Sequence, residues 1–406
     1  MLKLRVSSGV ALLSMLLAAW PLKAQTYSVL YNFAGGADGS LPSAALVRDA
    51  AGNLYGTTYL GGNMSCYGPN GLGCGTVFKL DASGRKTTLH TFAGPDGAAP
   101  NGALYRDSGG NLYGTTVAGG DPGYGAAFKI DSAGNESVLH SFTGPDGANP
   151  SGAFVPDGAG NFYGATAGGG ASGFGVVFKM DAGGNVTVLY NFAGNPTDGA
   201  GPLGTLVLDH AGNLYGTTQG GGSSFNGVVF KLDAAGNETL LHDFTGGADG
   251  GQPWAGLIRD TKGNLYGTAE VGGTGCGSYG CGLVFMLSPG GEETVLLRFH
   301  GYPTDGQDPF GVLVQDASGN VYGTTFSGGT ELRCRPIPAP CGTIFKLSGT
   351  GEETLLHNFA PHSGIYPYAG LIPDPAGNLY GVASEGGDTS RCGGAGCGVV
   401  FKLSLQ

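Results

Sequence analysis

Short apolar runs of roughly five to seven residues follow one another from residue 26 to the end of the chain, each broken by Gly, Asp, Asn or Pro. In the stretch 152–192 the runs are 152–156, 161–166, 176–180 and 186–192. Runs of this length between turn residues predict β-strands rather than helices. The link between the first two is Asp-Gly-Ala-Gly and that between the last two is Asp-Ala-Gly-Gly. Both are tight-turn chemistry, because Asp bonds its own following backbone and Gly accepts a left-handed conformation. We call the four predicted strands a, b, c and d.

The unit repeats. The string Gly-Asn-(apolar)-Tyr-Gly occurs seven times, at Asn53, Asn111, Asn161, Asn213, Asn264, Asn320 and Asn378, with steps of 50 to 58 residues. A Val-Phe-Lys-Leu type string and a Leu-His-x-Phe type string also occur seven times each, on strands c and d. Four strands in each of seven units predict an all-β chain folded as a seven-bladed β-propeller of four-stranded blades. The units are 43–92, 102–142, 152–192, 204–244, 256–299, 311–359, and 370–406 together with 26–33. The chain opens on a d-type strand and finishes on a c-type strand, so its first strand is expected to complete the last blade and close the ring.

Composition fits this reading. Gly (83) and Pro (22) make up a quarter of the 406 residues, a level met in low-complexity chains. Yet only 12% are charged and 41% are apolar, the opposite of a disordered chain, and the Gly falls at fixed places in the unit.

Residues 1–24 read as a secretory signal: Lys3 and Arg5 precede an apolar run over 10–20, and Leu22-Lys23-Ala24 suits cleavage before Gln25. Residues 399–406 carry no hydrophobic tail, so the expectation is export to the periplasm or the medium without membrane insertion. Setting aside Lys3, Arg5 and Lys23 leaves 16 basic against 30 acidic residues, a net charge of −14. That excludes nucleic acid as a partner and favours a soluble monomer. The eight Cys fall into close pairs, Cys66–Cys74, Cys276–Cys281, Cys334–Cys341 and Cys392–Cys397. In an exported chain these predict disulfides. Zinc would need further ligands at finger spacing, and no His follows at that distance.

The Gly-Asn-Leu-Tyr-Gly-Thr-Thr box, the Gly-Gly pair after it (Gly61-Gly62, Gly119-Gly120, Gly386-Gly387) and the Val-Phe-Lys-Leu box resemble the GloVer tandem repeat of exported bacterial proteins, named from Gloeobacter and Verrucomicrobia. The resemblance spans 26–406 and implies a propeller and export, with no activity attached to it.

Strand order puts the a–b and c–d turns on one face and the b–c and d–a loops on the other. Every Cys and all long loops belong to the second face, where binding is expected. Six d–a loops carry an Asp-Gly, at Asp38, Asp96, Asp146, Asp198, Asp249 and Asp305, while the seventh has Ser363. Around a ring these carboxylates are expected at the channel mouth, where they would suit Ca²⁺, the one cofactor the sequence suggests. The plainer reading is that Asp-Gly is the turn the loops need. The Cys pairs lie in units 1, 5, 6 and 7, which closure makes contiguous, and a ligand is expected on that sector. Polar residues off the repeat there are Glu270, Glu331, Arg333, Arg335, Glu385 and Arg391. His90, His140, His242 and His357 share one strand-d position, in different units, and read as packing groups. No nucleophile or metalloprotease motif occurs. The favoured function is a non-catalytic scaffold binding a carbohydrate, peptide or envelope component. The alternative is a secreted polysaccharide hydrolase or lyase with carboxylates at the channel mouth.

Overall fold

A computed structural model describes residues 25–68, 71–273, 275–332, 334 and 340–405. The expected leader, Arg333 and Arg335 lie outside the described residues. Seven antiparallel four-stranded sheets follow one another in the order a-b-c-d and form a seven-bladed propeller. In blade 3 the strands are Val155–Pro156, Phe162–Gly168, Val176–Met180 and Val186–Asn191. Blade 7 takes a, b and c from Ile372–Pro373, Leu379–Ala383 and Val399–Ser404, and its outer strand from Thr26–Asn32. Thr26 pairs with Ser404 and Asn32 with Val399, so the start of the sheet-forming chain locks its end.

The repeat boxes have local causes. In the a–b turn of blade 4, Asp209 accepts the Asn213 backbone N–H and side-chain amide at 2.9 and 2.8 Å, and the Tyr215 hydroxyl at 3.0 Å. The Asn of the box bonds the turn Asp in all seven blades. The second Gly of the box faces the strand-c Phe, and a Cβ on Gly216 would lie 2.5 Å from the Phe230 ring. That ring meets Phe192 of the preceding blade edge-on, with centroids 5.1 Å apart. The same pair recurs at all seven junctions, from Phe33–Phe78 to Phe359–Phe401, and every ring is fully buried. Such pairs contribute about 0.5–1.5 kcal/mol each beyond the area they bury.

Strand a departs from the expectation of five paired residues. Only two residues of each strand a pair with strand b in the blade sheet. The rest of the segment turns toward its neighbours around the axis, where the chains nearly touch: a Cβ on Gly204 would lie 2.4 Å from the backbone of Gly256. Its polar groups are satisfied across blades instead. Ala153 donates to the Thr205 hydroxyl at 3.0 Å, and the Thr217 hydroxyl donates to the Ala255 carbonyl at 2.8 Å.

Candidate functional site at the channel mouth

Each strand a is entered through an X-Pro step. The residues before these prolines are Leu41, Ala99, Asn149, Gly201, Gln252, Asp308 and Tyr366, and all seven have positive φ, from 51° to 66°. Six are not Gly, which makes the geometry costly and over-determined by its surroundings. Each donates its N–H to a carbonyl in the b–c loop of the preceding blade, for example Asn149 to Tyr124 at 2.8 Å and Gly201 to Phe174 at 2.9 Å. Where that loop holds a Cys pair, the acceptor is the second Cys: Cys74, Cys281, Cys341 and Cys397 receive Ala99, Asp308, Tyr366 and Leu41 at 2.8–3.2 Å. All four expected disulfides are formed. They therefore brace the joints that hold the rim of the channel.

The rim side chains differ sharply from blade to blade. After the proline come Ser43, Asn101, Ser151 and Leu203 in blades 1–4, but Trp254, Phe310 and Tyr368 in blades 5–7. Phe326 and Tyr366 join them. Phe310 lies 5.7 Å from Trp254, 5.5 Å from Phe326 and 5.0 Å from Tyr368, and Phe326 stacks on Tyr366 at 4.6 Å. None of the five belongs to the buried core, and all are half-buried. The channel inside this rim is lined by strand-a residues of all seven blades and holds only about 120 Å³. A recess of about 390 Å³ opens beside it between Tyr59, Asn101, Phe326, Tyr366, Tyr368 and Glu385.

Three carboxylates face this cluster. Glu270 accepts the Trp254 indole N–H. Burial pushes its pKa up, and the Asp308 charge adds to this against the indole hydrogen bond. Burial likewise raises Asp308, whose carboxylate accepts the Ser327 hydroxyl at 2.8 Å, and burial raises Glu385. Burial and the nearby Glu270 charge raise the Tyr368 phenol to about 12. The sequence pointed to Glu270 and Glu385 but missed the aromatic cluster and Asp308. Glu331 is half-buried in the blade 6 loop, and Arg391 pairs with Asp388 at 3.0 Å in the blade 7 loop.

The loop aspartates do not ring the mouth. Asp38, Asp96, Asp146, Asp198, Asp249 and Asp305 lie beside the outermost strands, each at its own blade junction. Each caps its own loop by accepting a backbone N–H, from Ala34, Ala93, Thr143, Ala193, Thr245 and His300 in turn. The expected ring is corrected to separate junctions for this reason: the Asp-Gly turn aims the carboxylate at strand d. His90 and His140 meet Asp96 and Asp146 at 2.9 and 2.7 Å, so they are hydrogen-bonding groups as well as packing groups. The opposite face has a recess of about 580 Å³ between blades 6 and 7, but Asp316 and Asp374 there are engaged by Asn320 and Asn378.

The sequence profile of the Gloeobacter/Verrucomicrobia repeat matches residues 16–155, 62–278, 107–337 and 275–406. The sequence matches none of the curated proteins it was compared with. Among solved structures, a fungal alcohol oxidase of the AA5 family in complex with copper is 12% identical, with a TM-score of 0.57 over 94% of this chain and 76% of that one. Two proteins from B. thetaiotaomicron, described as the extracellular domains of a hybrid two-component and a one-component system, are 13% and 10% identical with TM-scores of 0.56. They are matched over 94% and 93% of this chain, which spans only 41% and 40% of their own lengths. At such identities the likeness is one of fold.

Proposed function

Since the chain belongs to the Gloeobacter/Verrucomicrobia repeat family along all seven blades, its individuality lies where it departs from the repeat, and we propose that it is an exported scaffold binding carbohydrate at the channel mouth over blades 5–7. The observation that supports this is the run of Trp254, Phe310 and Tyr368 at one repeat position in three consecutive blades. Aromatic faces offer flat apolar area to the C–H face of a sugar ring. Glu270, Asp308, Glu385, Ser43 and Asn101 supply hydrogen-bond partners for hydroxyls around them. Four disulfides suit an oxidising compartment, and they stiffen the joints below Asp308 and Tyr366, which lowers the entropic cost of binding. Trp254 is the only Trp in 25–406, so its fluorescence reports on the site. Titration with a panel of soluble polysaccharides is expected to shift that emission saturably for at least one, and a silent panel overturns the reading.

A second reading is favoured by the three carboxylates with raised pKa: hydrolysis or elimination on the same polymer, with one acid kept protonated. Release of new chain ends from the bound polysaccharide, lost in Glu270→Gln or Asp308→Asn, separates catalysis from binding.

A further inference from the structure

At six of the seven junctions between blades, three positions meet on the outer rim: a strand-d position, the loop Asp of the same blade, and the first residue of strand d in the next blade; at the junction of blades 6 and 7 Ser363 stands in place of the Asp. At the closing junction these are Tyr31, Asp38 and Lys86, and the Lys86 ammonium sits 2.9 Å from the Asp38 carboxylate and 2.7 Å from its carbonyl. The fold thus already holds one positive charge in this place. Between blades 1 and 2 the three residues are His90, Asp96 and Glu136. Their donor atoms, one imidazole nitrogen and two carboxylate oxygens, all lie within 4.8 Å of one another. Glu136 Oε1 is buried and has no hydrogen-bond partner among the described residues.

We propose that His90, Asp96 and Glu136 form a binding site for a divalent transition metal, Zn²⁺ in particular, which joins blade 1 to blade 2. One nitrogen and two oxygen donors are a borderline set that Zn²⁺ accepts, with water as the fourth ligand. Two donors each about 2.0–2.1 Å from one Zn²⁺ stand roughly 3 Å apart, and His90 Nε2 and Asp96 Oδ2 are 2.9 Å apart. The other Asp96 oxygen accepts the Ala93 N–H at 2.8 Å, which fixes the carboxylate as outer-shell bonds do at metal sites. The next junction is an internal control. It keeps the pair His140–Asp146 at 2.7 Å but has Val186 in place of the Glu, so the imidazole–carboxylate pair alone is a structural contact. Glu136 is what turns that contact into a donor set. The junction of His242, Asp249 and Glu293 has the same residue types in a looser arrangement, with His242 Nε2 3.6 Å from Asp249.

The test is calorimetric titration of the chelator-dialysed protein with Zn²⁺, together with melting temperatures. The wild type is expected to take up a saturable equivalent and to melt higher with it. Glu136→Val, which installs the residue that Val186 supplies one blade on, is expected to fold and to lose that equivalent, and Glu136→Gln to weaken it at least tenfold. Glu293→Gln is expected to retain it. No uptake by the wild type, uptake unchanged in Glu136→Val, or loss of that equivalent in Glu293→Gln overturns the proposal.

Discussion

Lys86, on the outer strand of blade 1, holds its ammonium 2.9 Å from the carboxylate of Asp38, in the loop that leaves the strand contributed by the start of the sheet-forming chain. The Lys side chain is only 4% exposed. It also bonds the Asp38 carbonyl and lies over the Phe33 and Phe78 rings at 5.6 and 5.9 Å. The strand that closes the ring is thus paired with blade 7 inside the sheet, and the loop that follows it is tied to blade 1 by an ion pair outside it.

Removing one half of a buried pair leaves the other charge unpaired, and the cost exceeds that of removing both. Lys86→Met is expected to destabilise by about 2 kcal/mol. The double variant with Asp38→Asn should cost less than the sum of the two single changes. Denaturant unfolding of the four proteins measures this, and additive costs rule that tie out.

Trp254→Ala and Tyr368→Ala are expected to weaken polysaccharide binding at least tenfold while moving the melting temperature little, because both side chains are half-buried on the rim. Ser151→Ala, at the same repeat position on the far side of the ring, should leave binding unchanged. Equal losses for all three would place the ligand elsewhere.

The paired change Cys334→Ser and Cys341→Ser opens a short loop, with a chain-entropy cost of about 2–3 kcal/mol. Tyr366 donates to the Cys341 carbonyl at 3.0 Å, so the loosened loop should also weaken the ligand and not only the fold. A variant that loses stability but binds unchanged separates the staple from the site.

Burial, helped by the nearby Asp305 charge, raises Glu353 to about 7. A carboxyl raised in the folded state contributes fully below its unfolded value near 4.3, and that contribution is lost as pH rises through the folded value. Glu353→Gln does not ionise. Relative to the wild type it should therefore gain stability between about pH 4.5 and 7.5, on the order of 1 kcal/mol once solvent screening is allowed for. Stability curves at the two pH values decide it.

The a–b turns titrate the other way. Burial alone would raise Asp209, but the Asn213 and Tyr215 hydrogen bonds outweigh it and hold it at about 2. Its contribution is present above the unfolded value near 3.9 and disappears as pH falls toward 2. Asn213→Ala should cost about 1 kcal/mol at neutral pH and less in acid. A cost that grows in acid contradicts this assignment.

The fold was legible because its causes recur. The Asn of each box clamps a turn Asp, joined in six blades by the box Tyr, the Gly makes room for a Phe, and seven copies of the pattern leave one architecture. The loop aspartates were legible as residues but not as positions, since only the turn geometry shows that they face strand d. The six-residue spacing of His90 to Asp96 and of His140 to Asp146 was a usable sign of their pairing. The aromatic cluster went unread because the repeat defines itself by what is constant, whereas Trp254, Phe310 and Tyr368 occupy a position that varies. Aligning the units on the proline before each would have exposed them.

The seven left-handed residues at the rim have a consequence for how such a chain changes. Their backbone is fixed by a following proline and by an N–H bonded to the neighbouring blade, neither of which depends on the side chain carried there. Leu, Ala, Asn, Gly, Gln, Asp and Tyr all occupy this position in one molecule. The rim therefore behaves as a row of interchangeable sockets. If the proposed binding function holds, point substitutions there are expected to change ligand choice one blade at a time while the propeller sheets beneath stay the same.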